Sequence, residues 1–393
     1  MANTLSIDQI GVLIQDVAEQ ATGRSVMAPT NTKDFVAVAQ TALLAGREAV
    51  MNAISQLISR TIYARRDEYR GALDILVMNE QAYGNHVRKI SAIDTDFEED
   101  PHYNLVDGQS IDQYTIRKPK AIQTNFYGGQ TWMKSLTIFS DQVDTAMSGP
   151  DEFQQFMGIM LGNMADQIEQ VMEELARLTL ANFIAGKRQI DVRNEVHLLT
   201  AYNAETGLSL TAQTVKQPAN YGPFIQWVYG QIQIYSNRLK ERSVLYHQNF
   251  TNFNIPRHTS GENQRLILYS EDVAQINASA LPGIFHENDL KFPRRFEPIS
   301  YFQSPTAGSR NTIEVLPSYT DASGAVVEAG SAITLENVFG VLYDRQAMGC
   351  TRIHQRTYRS PFNAKGEYSN VFHHFTTRFW ADYTENAITF FMD

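Results

Sequence analysis

The densest group of potential metal ligands is an acidic run at residues 94–100, Asp-Thr-Asp-Phe-Glu-Glu-Asp. Carboxylates are the ligands that Ca²⁺ prefers, and calcium loops carry them at fixed positions. This run lacks the central glycine and the later bidentate glutamate that an EF-hand loop requires. We therefore interpret it as a solvated acidic loop and predict no metal site.

Three further features could carry chemistry, and each has a simpler structural interpretation. His373 and His374 are adjacent, so on a strand they point to opposite faces and cannot bind one ion together. Glu173 and Glu174 are adjacent on a predicted helix, where side chains diverge by about 100° and do not converge as a catalytic pair. Cys350 is the single cysteine of the chain, and we predict a buried, small apolar role for it.

The chain also lacks the signatures of P-loop, dinucleotide-binding, zinc-protease and serine-hydrolase proteins. The sequence therefore offers no catalytic residues, no cofactor-binding residues and no metal ligands. We predict that the protein is not an enzyme and has no cofactor.

The bulk composition limits the partners that this chain can have. Its 393 residues carry a formal net charge of −10, which argues against a nucleic-acid-coating protein, because a basic surface is needed to neutralise phosphates. Neither a secretory signal peptide nor a run of about 18 apolar residues is visible, so we expect a soluble protein made in a cytoplasm, without a membrane partner.

A long amphipathic helix is the strongest structural signal. Ser148, Gly149 and Pro150 form a typical helix start, and apolar residues then recur at steps of three and four as far as Phe183. Gly186 is predicted to end the helix as a C-terminal cap. At ~1.5 Å per residue the helix would span roughly 50 Å, which is too long for one compact globule.

A β-ribbon precedes this helix, over residues 111–147. Gly128 and Gly129 can adopt the positive φ angles of a two-residue hairpin turn. Ile122, Thr124 and Phe126 alternate with polar residues before the pair, and apolar residues alternate again after it. We predict that the strands on the two sides of Gly128-Gly129 pair with each other.

The flanking segments complete an α+β pattern. Helical patterns over residues 7–21 and 33–60 either pack on the body of the chain or reach to a neighbouring subunit. Residues 190–335 are rich in proline and loops, with a helix at 223–242, strands at 265–270 and 311–317, and an exposed hairpin or loop at 321–330. The last segment is rich in strands, and one strand face is predicted to carry Phe375, Thr377, Phe379, Ala381 and Tyr383.

This order of elements resembles the major capsid proteins of tailed bacteriophages, which have the Hong Kong 97-type shell fold. The resemblance covers essentially the full length and rests on an arm, an extended β-loop, the helix DEFQQFMGIMLGNMADQIEQVMEELARLTLANFIAG and a return through VFGVLYDRQAMGC. It implies an N-terminal arm with amphipathic helices at 1–70, an extended β-loop with its flanks at 71–147, a spine helix of the peripheral domain at 148–189, an axial domain at 190–335, and return strands of the peripheral domain at 336–393.

The resemblance implies a shell function. Such proteins assemble as hexamers and pentamers into an icosahedral virion shell that encloses double-stranded DNA without sequence-specific binding. A scaffolding protein and a portal are the implied partners, with assembly in the host cytoplasm. An encapsulin-like compartment subunit shares the fold and is the alternative. For the contact between copies we predict the ribbon residues Phe126, Tyr127, Trp132, Lys134 and Leu136.

Overall fold

The computed structural model divides the chain into two compact units. The first comprises Met1–Ala82, Gly129–Ala176 and Cys350–Arg378, and the second comprises Tyr83–Gly128, Arg177–Gly349 and Phe379–Asp393. Residues 94–99 of the acidic run, the end of the helix predicted at 33–60, and Gly128 lie outside the described residues. The structure describes residues 7–29, 31–46, 48–54, 73–77, 87–93, 100–112, 114, 116, 118, 120–127, 129–190, 192–251, 254–274 and 296–393.

Helices and strands are mixed along the described chain. The helices are α1 (Ile7–Thr22), α2 (Thr32–Leu44), α3 (48–54), α4 (Ser140–Ala146), α5 (Pro150–Ile190), α6 (Leu198–Thr206), α7 (Pro218–Lys240) and α8 (270–274). The strands are β1 (Val87–Ile93), β2 (Lys120–Phe126), β3 (Gly129–Phe139), β4 (Glu195–His197), β5 (Gln264–Tyr269), β6 (Phe296–Ile299), β7 (Ile313–Val315), β8 (Ser318–Thr320), β9 (Val326–Glu328), β10 (Ile333–Leu335), β11 (Val338–Asp344), β12 (Met348–Arg359), β13 (Tyr368–Ala381) and β14 (Ala387–Phe391).

The N-terminal helices pack on the body of the first unit. Asn31 caps α2, because its side-chain Oδ1 accepts the backbone N–H of Asp34 at 2.9 Å. The apolar faces of α1, α2 and α3 join one buried cluster with α5, in which the ring centroids of Phe35 and Phe153 lie 6.0 Å apart. Of the two alternatives open from the sequence, packing on the chain's own body is therefore the one observed for these helices.

The helix predicted over residues 33–60 is interrupted at Gly46. α2 ends at Leu44 and α3 starts again at residue 48. Gly46 has a φ of 121°, which is accessible to glycine and strained for residues with a Cβ atom. The break allows Ala42 before it and Val50 after it to reach the same apolar cluster, which a straight helical pattern does not indicate.

The sheet of the first unit has the strand order β12-β13-β3. β3 is antiparallel to β13 along its whole length, from Gly129 opposite Arg378 to Phe139 opposite Tyr368. The predicted alternation on β3 is confirmed, since every second residue from Trp132 to Ile138 is less exposed than its neighbours. Ile138 is fully buried in the apolar cluster, so this face of the sheet covers the helices.

The predicted hairpin between β2 and β3 is wrong. β2 pairs with β1, residue for residue from Val87 opposite Phe126 to Ile93 opposite Lys120, while β3 pairs with β13. Alternation shows that a strand has two faces, but it does not identify the partner strand. The long strand β13 pairs with all of β3, so β2 and β3 belong to different sheets and do not form a hairpin with each other.

The second unit is built on a five-stranded sheet with the order β4-β14-β11-β5-β6. Every residue of its central strand β11 is buried. Gly340 of β11 lies so close to β5 that a Cβ atom added to it would stand 3.1 Å from the Cα of Leu268. α6 and α7 contribute Phe224 and other residues to the apolar cluster of this unit. α7 begins at Pro218, five residues before the predicted start at Pro223. Of the exposed hairpin or loop predicted at 321–330, the structure has a hairpin, formed by the antiparallel pair β8–β9, and β8 lies just before the predicted range.

The long helix is present as α5, but Gly186 does not end it. α5 continues to Ile190, and Gly186 is an interior, buried position. A Cβ atom there would lie 2.7 Å from Cζ and 2.9 Å from Cε1 of Tyr383, whose ring stacks on Phe183 at a centroid distance of 5.4 Å. The glycine is therefore required by side-chain packing and not by a helix end, which explains the error.

The single predicted face of the last strands also changes along β13. Phe375 and Thr377 share a buried face, in agreement with the predicted alternation, whereas Phe379 is exposed and its neighbour Trp380 is buried. β13 loses its partner β3 beyond Arg378, where the pairing register ends. Past that point Trp380 packs over Gly349, where a Cβ atom would lie 2.7 Å from the indole Cη2.

The packing of Tyr383 on α5 predicts opposite effects for two glycine substitutions in one helix. Gly186→Ala should lower the free energy of unfolding by roughly 1–3 kcal/mol, because the added methyl group overlaps a buried ring. Gly158→Ala, at an exposed position with open space around it, should raise it by about 0.5–1 kcal/mol through helix propensity. Denaturant unfolding of both variants tests this, and a Gly186→Ala variant as stable as the wild type would contradict it.

The buried histidine of β13 predicts a loss of stability in acid. His373 is 1% exposed, its Nδ1 lies 2.9 Å from Thr357 Oγ1, and its Nε2 has no hydrogen-bond partner within the described part of the chain. Burial, with the charge of Arg352, lowers the pKa of His373 to about 4 from 6.5. The unfolded chain therefore binds more protons between pH 6.5 and pH 4, and stability falls as the pH drops through this window.

Removing the imidazole should remove this acid sensitivity. Between pH 7 and pH 5 the wild type should lose about 1–2 kcal/mol more of its free energy of unfolding than His373→Gln does. His374→Gln is the matched control, because His374 lies on the other face of β13, where its ring approaches Tyr358. Equal pH profiles for the wild type and His373→Gln would disprove the assignment.

Candidate functional site

The paired strands β1 and β2 form a two-stranded ribbon with two different faces. Lys89 and Ser91 on β1 share one face with Ile122, Thr124 and Phe126 on β2, as the register requires. This face is partly buried within the second unit. The other face carries the exposed residues Arg88, Ile90, Ala92, Ala121 and Gln123.

A charged network fixes the inner face of the ribbon to the second unit. Lys89 Nζ lies 2.6 Å from Asp382 Oδ2 and also contacts Glu385 Oε1. Arg257 joins the network, with Nη1 3.4 Å from Glu385 Oε1 and Nη2 donating to Ser91 Oγ at 3.0 Å. The side chains of Asp382 and Glu385 are almost fully buried, so both depend on these cations for compensation of their charge.

Burial dominates the electrostatics of this network. It raises the pKa of Glu385, and the nearby charges of Lys89 and Arg257 act in the opposite direction. Asp382 Oδ1 also accepts hydrogen bonds from the backbone N–H of Thr384 at 2.9 Å and from the Thr384 hydroxyl at 2.7 Å. The arrangement holds the two strands in place, and its carboxylates are committed to structural partners.

A cleft of about 1110 Å³ lies in the second unit beside the ribbon. Ile122, Thr124 and Phe126 form part of its wall, and Phe250 and Leu316 contribute further apolar surface. Among the described residues that line it, Asp382 is the sole carboxylic acid, and it is paired with Lys89. The lining therefore lacks the combination of nucleophile, base and acid that catalysis requires, at least in the part of the chain described.

Other candidate chemistry from the sequence also has structural roles. Cys350 is buried, as predicted. His373 and His374 lie on opposite faces of β13, which confirms that they do not converge. Gln170 Nε2 donates to Glu174 Oε1 at 3.1 Å on the surface of α5. Groups of three or more residues placed to hold a metal ion are not found in the described segments, and no helix described there is long and apolar enough to cross a membrane.

The predicted contact residues are divided between the two units. Phe126 is the last residue of β2 in the second unit, and Tyr127 follows it with 69% of its surface exposed. Trp132, Lys134 and Leu136 share one face of β3 in the first unit. Trp132 donates through Nε1 to Thr377 Oγ1 at 3.0 Å, and both Trp132 and Leu136 pack partly against the core of that unit.

The segment between β1 and β2 exposes apolar residues that are not among the contact residues predicted from the sequence. Tyr114 is 82% exposed and Ile116 is 81% exposed, and both lie in irregular backbone. In the sequence these apolar residues stand in a polar stretch and show neither helical nor strand periodicity. That pattern could have identified them as exposed apolar residues. The exposed apolar residues of this ribbon tip are Leu105, Val106, Ile111, Tyr114 and Ile116.

Solved structures place this architecture in a known fold. The chain is similar to a chain of the capsid of Staphylococcus phage Andhra, with a TM-score of 0.53 and 9% identity over 80% of this chain and 82% of that one. It is also similar to a chain in the structure of the head fiber and inner core protein gp22 of native bacteriophage P68, with a TM-score of 0.53 and 10% identity over 81% and 84%. The α+β fold is therefore that of a Hong Kong 97-type capsid shell protein.

A family model gives a closer placement. The model for the Phi29-like phage major capsid protein matches residues 13–391, so the chain belongs to this family. Its role is structural, in the capsid of a tailed-phage virion. The match favours the phage shell over the encapsulin-like alternative considered from the sequence. A search of curated proteins finds no match.

The charged network predicts that one lysine controls the order of the ribbon. Lys89→Met removes the cation that pairs with the buried Asp382 and Glu385, and Arg257 remains as the cation described near Glu385. Because a buried charge is then left without its partner, the free energy of unfolding should fall by roughly 2–4 kcal/mol. Amide hydrogen exchange in β1 and β2 should become faster.

Arg88→Met is the matched control, because Arg88 is the neighbouring cation on the exposed face of β1. It should leave exchange in both strands unchanged. If the two variants have the same effect on exchange, the ribbon does not depend on the Lys89 network.

Proposed function

We propose that copies of this chain assemble as hexamers and pentamers into an icosahedral shell that encloses double-stranded DNA. The observation that carries the proposal is the exposed apolar ribbon tip in a member of a capsid protein family. Tyr114 and Ile116 leave most of their apolar area in water. Burying apolar area contributes about 25 cal/mol per Å² to stability. A contact in which a neighbouring copy covers the tip would therefore be stabilised by this burial.

The contact between copies is proposed to continue from the tip onto Phe126, Tyr127, Trp132, Lys134 and Leu136. Tyr127 supports this most directly, since aromatic residues contribute strongly at interfaces and its ring is largely exposed. The side chains of Trp132 and Leu136 pack partly against the core of their own unit. They contribute to the contact between copies through the side-chain area that remains outside this core. Lys134 adds a cation to a chain whose net charge is −10.

The domain roles follow the same proposal. Residues 1–70 are the N-terminal arm, 71–147 contain the extended β-loop, and 148–189 are the spine helix of the peripheral domain. Residues 190–335 supply the axial domain at the centre of each hexamer or pentamer, and 336–393 return to the peripheral domain. The packing of α1 and α2 on the first unit supports an arm that stabilises its own subunit.

The acidic character of the chain supports a container role. A net charge of −10 disfavours adhesion to packed DNA, so the proposed shell encloses DNA without sequence-specific binding. A scaffolding protein and a portal are the proposed assembly partners, and the host cytoplasm is the proposed place of assembly.

Electron microscopy of the purified protein, alone and produced together with the assembly proteins of its phage, tests the proposal. The wild type should give closed shells. Tyr114→Ser/Ile116→Ser should keep the wild-type thermal stability, because exposed substitutions change it by about 0.5 kcal/mol or less, but should reduce shell yield about tenfold or more.

Leu208→Ser/Leu245→Ser is the matched control, because both leucines are exposed in the second unit and neither belongs to the segment between β1 and β2. It should assemble as the wild type does. Normal shells from the ribbon-tip variant would show that the tip is not the contact, and wild-type protein that stays monomeric under all these conditions would disprove shell formation itself.

A further inference from the structure

A lysine and two carboxylic acids meet inside the second unit, in the network that holds the inner face of the ribbon. Lys89 Nζ lies 2.6 Å from Asp382 Oδ2 and also contacts Glu385 Oε1. The amine therefore touches two carboxyl groups at once, although 293 positions of sequence separate it from Asp382. An amine and a carboxyl group in contact are the two reactants from which an amide bond forms.

Water is largely excluded from this meeting point. The side chains of Asp382 and Glu385 are 3% and 6% exposed, and that of Lys89 is 17% exposed. Charged groups in such a place have lost most of their hydration, so uncharged forms are favoured more than they are in water. An amide is uncharged. Condensation of the amine with a carboxylate therefore removes one buried positive charge and one buried negative charge.

The carboxyl group of Asp382 is arranged for attack by the amine. Its Oδ1 accepts hydrogen bonds from the backbone N–H of Thr384 at 2.9 Å and from the Thr384 hydroxyl at 2.7 Å. Its Oδ2 faces Lys89. When an amine attacks Cγ of Asp382, negative charge develops on the oxygen that remains, and donors already fixed at Oδ1 stabilise that charge.

Glu385 stands where a proton carrier is needed. Its Oε1 contacts Nζ of Lys89 and lies 3.4 Å from Nη1 of Arg257. Burial raises the pKa of Glu385, which makes its carboxylate a stronger base, while the charge of Arg257 acts against permanent protonation. The two carboxyl groups therefore have different environments, one suited to attack and the other suited to proton transfer.

We infer that Lys89 and Asp382 become joined by an isopeptide bond within one chain. Nζ of Lys89 attacks Cγ of Asp382, and the C–N bond forms as the bond from Cγ to Oδ2 breaks. Two protons leave Nζ in turn, and Glu385 accepts each and passes it to Oδ2, which departs as water. One ammonium and one carboxylate thus become one amide and one water, and Glu385 ends as the carboxylate that it was at the start.

The isopeptide bond fastens β1 to the segment between β13 and β14. It closes a loop across 293 positions of the sequence, so the chain keeps this restraint after it unfolds. An ion pair at the same place is lost on unfolding, whereas the amide persists. The bond lies within a single chain, so the inference does not depend on the proposed shell.

Mass spectrometry of the denatured full-length protein tests the bond. The wild type should be lighter by one water than its sequence requires, whereas Lys89→Arg should have the full mass of its sequence. Lys89→Arg is the matched control, because its guanidinium keeps the positive charge of the network and has no amine that can form the amide. Thermal unfolding of this variant shows whether its fold is intact.

Digestion of the denatured wild type locates the bond. Trypsin cleaves after lysine and arginine, so an amide at Lys89 should leave residues 89–117 joined to residues 379–393. Fragment ions of this joined peptide should place the bond between Lys89 and Asp382. A water lost without a joined peptide, as from an aspartate that cyclises onto its own backbone, would overturn the inference. A bond from Lys89 to Glu385 would overturn it too.

Glu385→Gln examines the proton carrier. It keeps the size of the side chain and removes the base, so the joined fraction in protein of the same age should fall about tenfold or more. Arg88→Met is the control on the exposed face of β1 and should be joined as fully as the wild type. Full reaction of Glu385→Gln would disprove the role of Glu385.

The comparison of the wild type with Lys89→Arg decides the bond even if Glu385→Gln does not fold. A wild type that has the full mass of its sequence would show that Lys89 and Asp382 form an ion pair only, and the inference would be wrong.

Discussion

Helix α5 has to bury an apolar stripe over 41 residues, and the chain meets this demand with two separate sets of packing partners. Near its start, Phe153 and Met157 enter the cluster formed with the N-terminal helices and the β12-β13-β3 sheet. Near its end, Phe183 stacks on Tyr383, and Gly186 makes room for the same ring. Each of the two units therefore takes part of its buried apolar contacts from one part of α5.

Local patterns in the sequence were sufficient for this helix and for the faces of single strands. The apolar steps from Phe153 to Phe183 indicate α5, and alternation on β3 correctly places Ile138 inward. Gly186 was misread because a capping glycine and a glycine beneath a ring from a distant part of the chain have the same local context. The partner of β3 was misread for the same reason, since β13 is more than 200 residues away.

The candidate contact surface was predictable only in part. Aromatic residues beside Gly128-Gly129 drew attention to Phe126 and Tyr127, whereas the ribbon tip has no periodicity to distinguish it from an ordinary loop. The family relation came from the order of elements along the chain. The network of Lys89, Arg257, Asp382 and Glu385 joins distant segments, so it could not be assembled from local spacing.

The residue-for-residue pairing of β1 with β2 limits how this ribbon can change in evolution. Inserting one residue into β2 would turn Ile122, Thr124 and Phe126 outward and would move Gln123 and Asn125 to the inner face. Insertions in the segment between the strands leave that register untouched. Related chains can therefore vary freely in the length of the tip, while the strands that carry it tolerate changes in length mainly by pairs of residues.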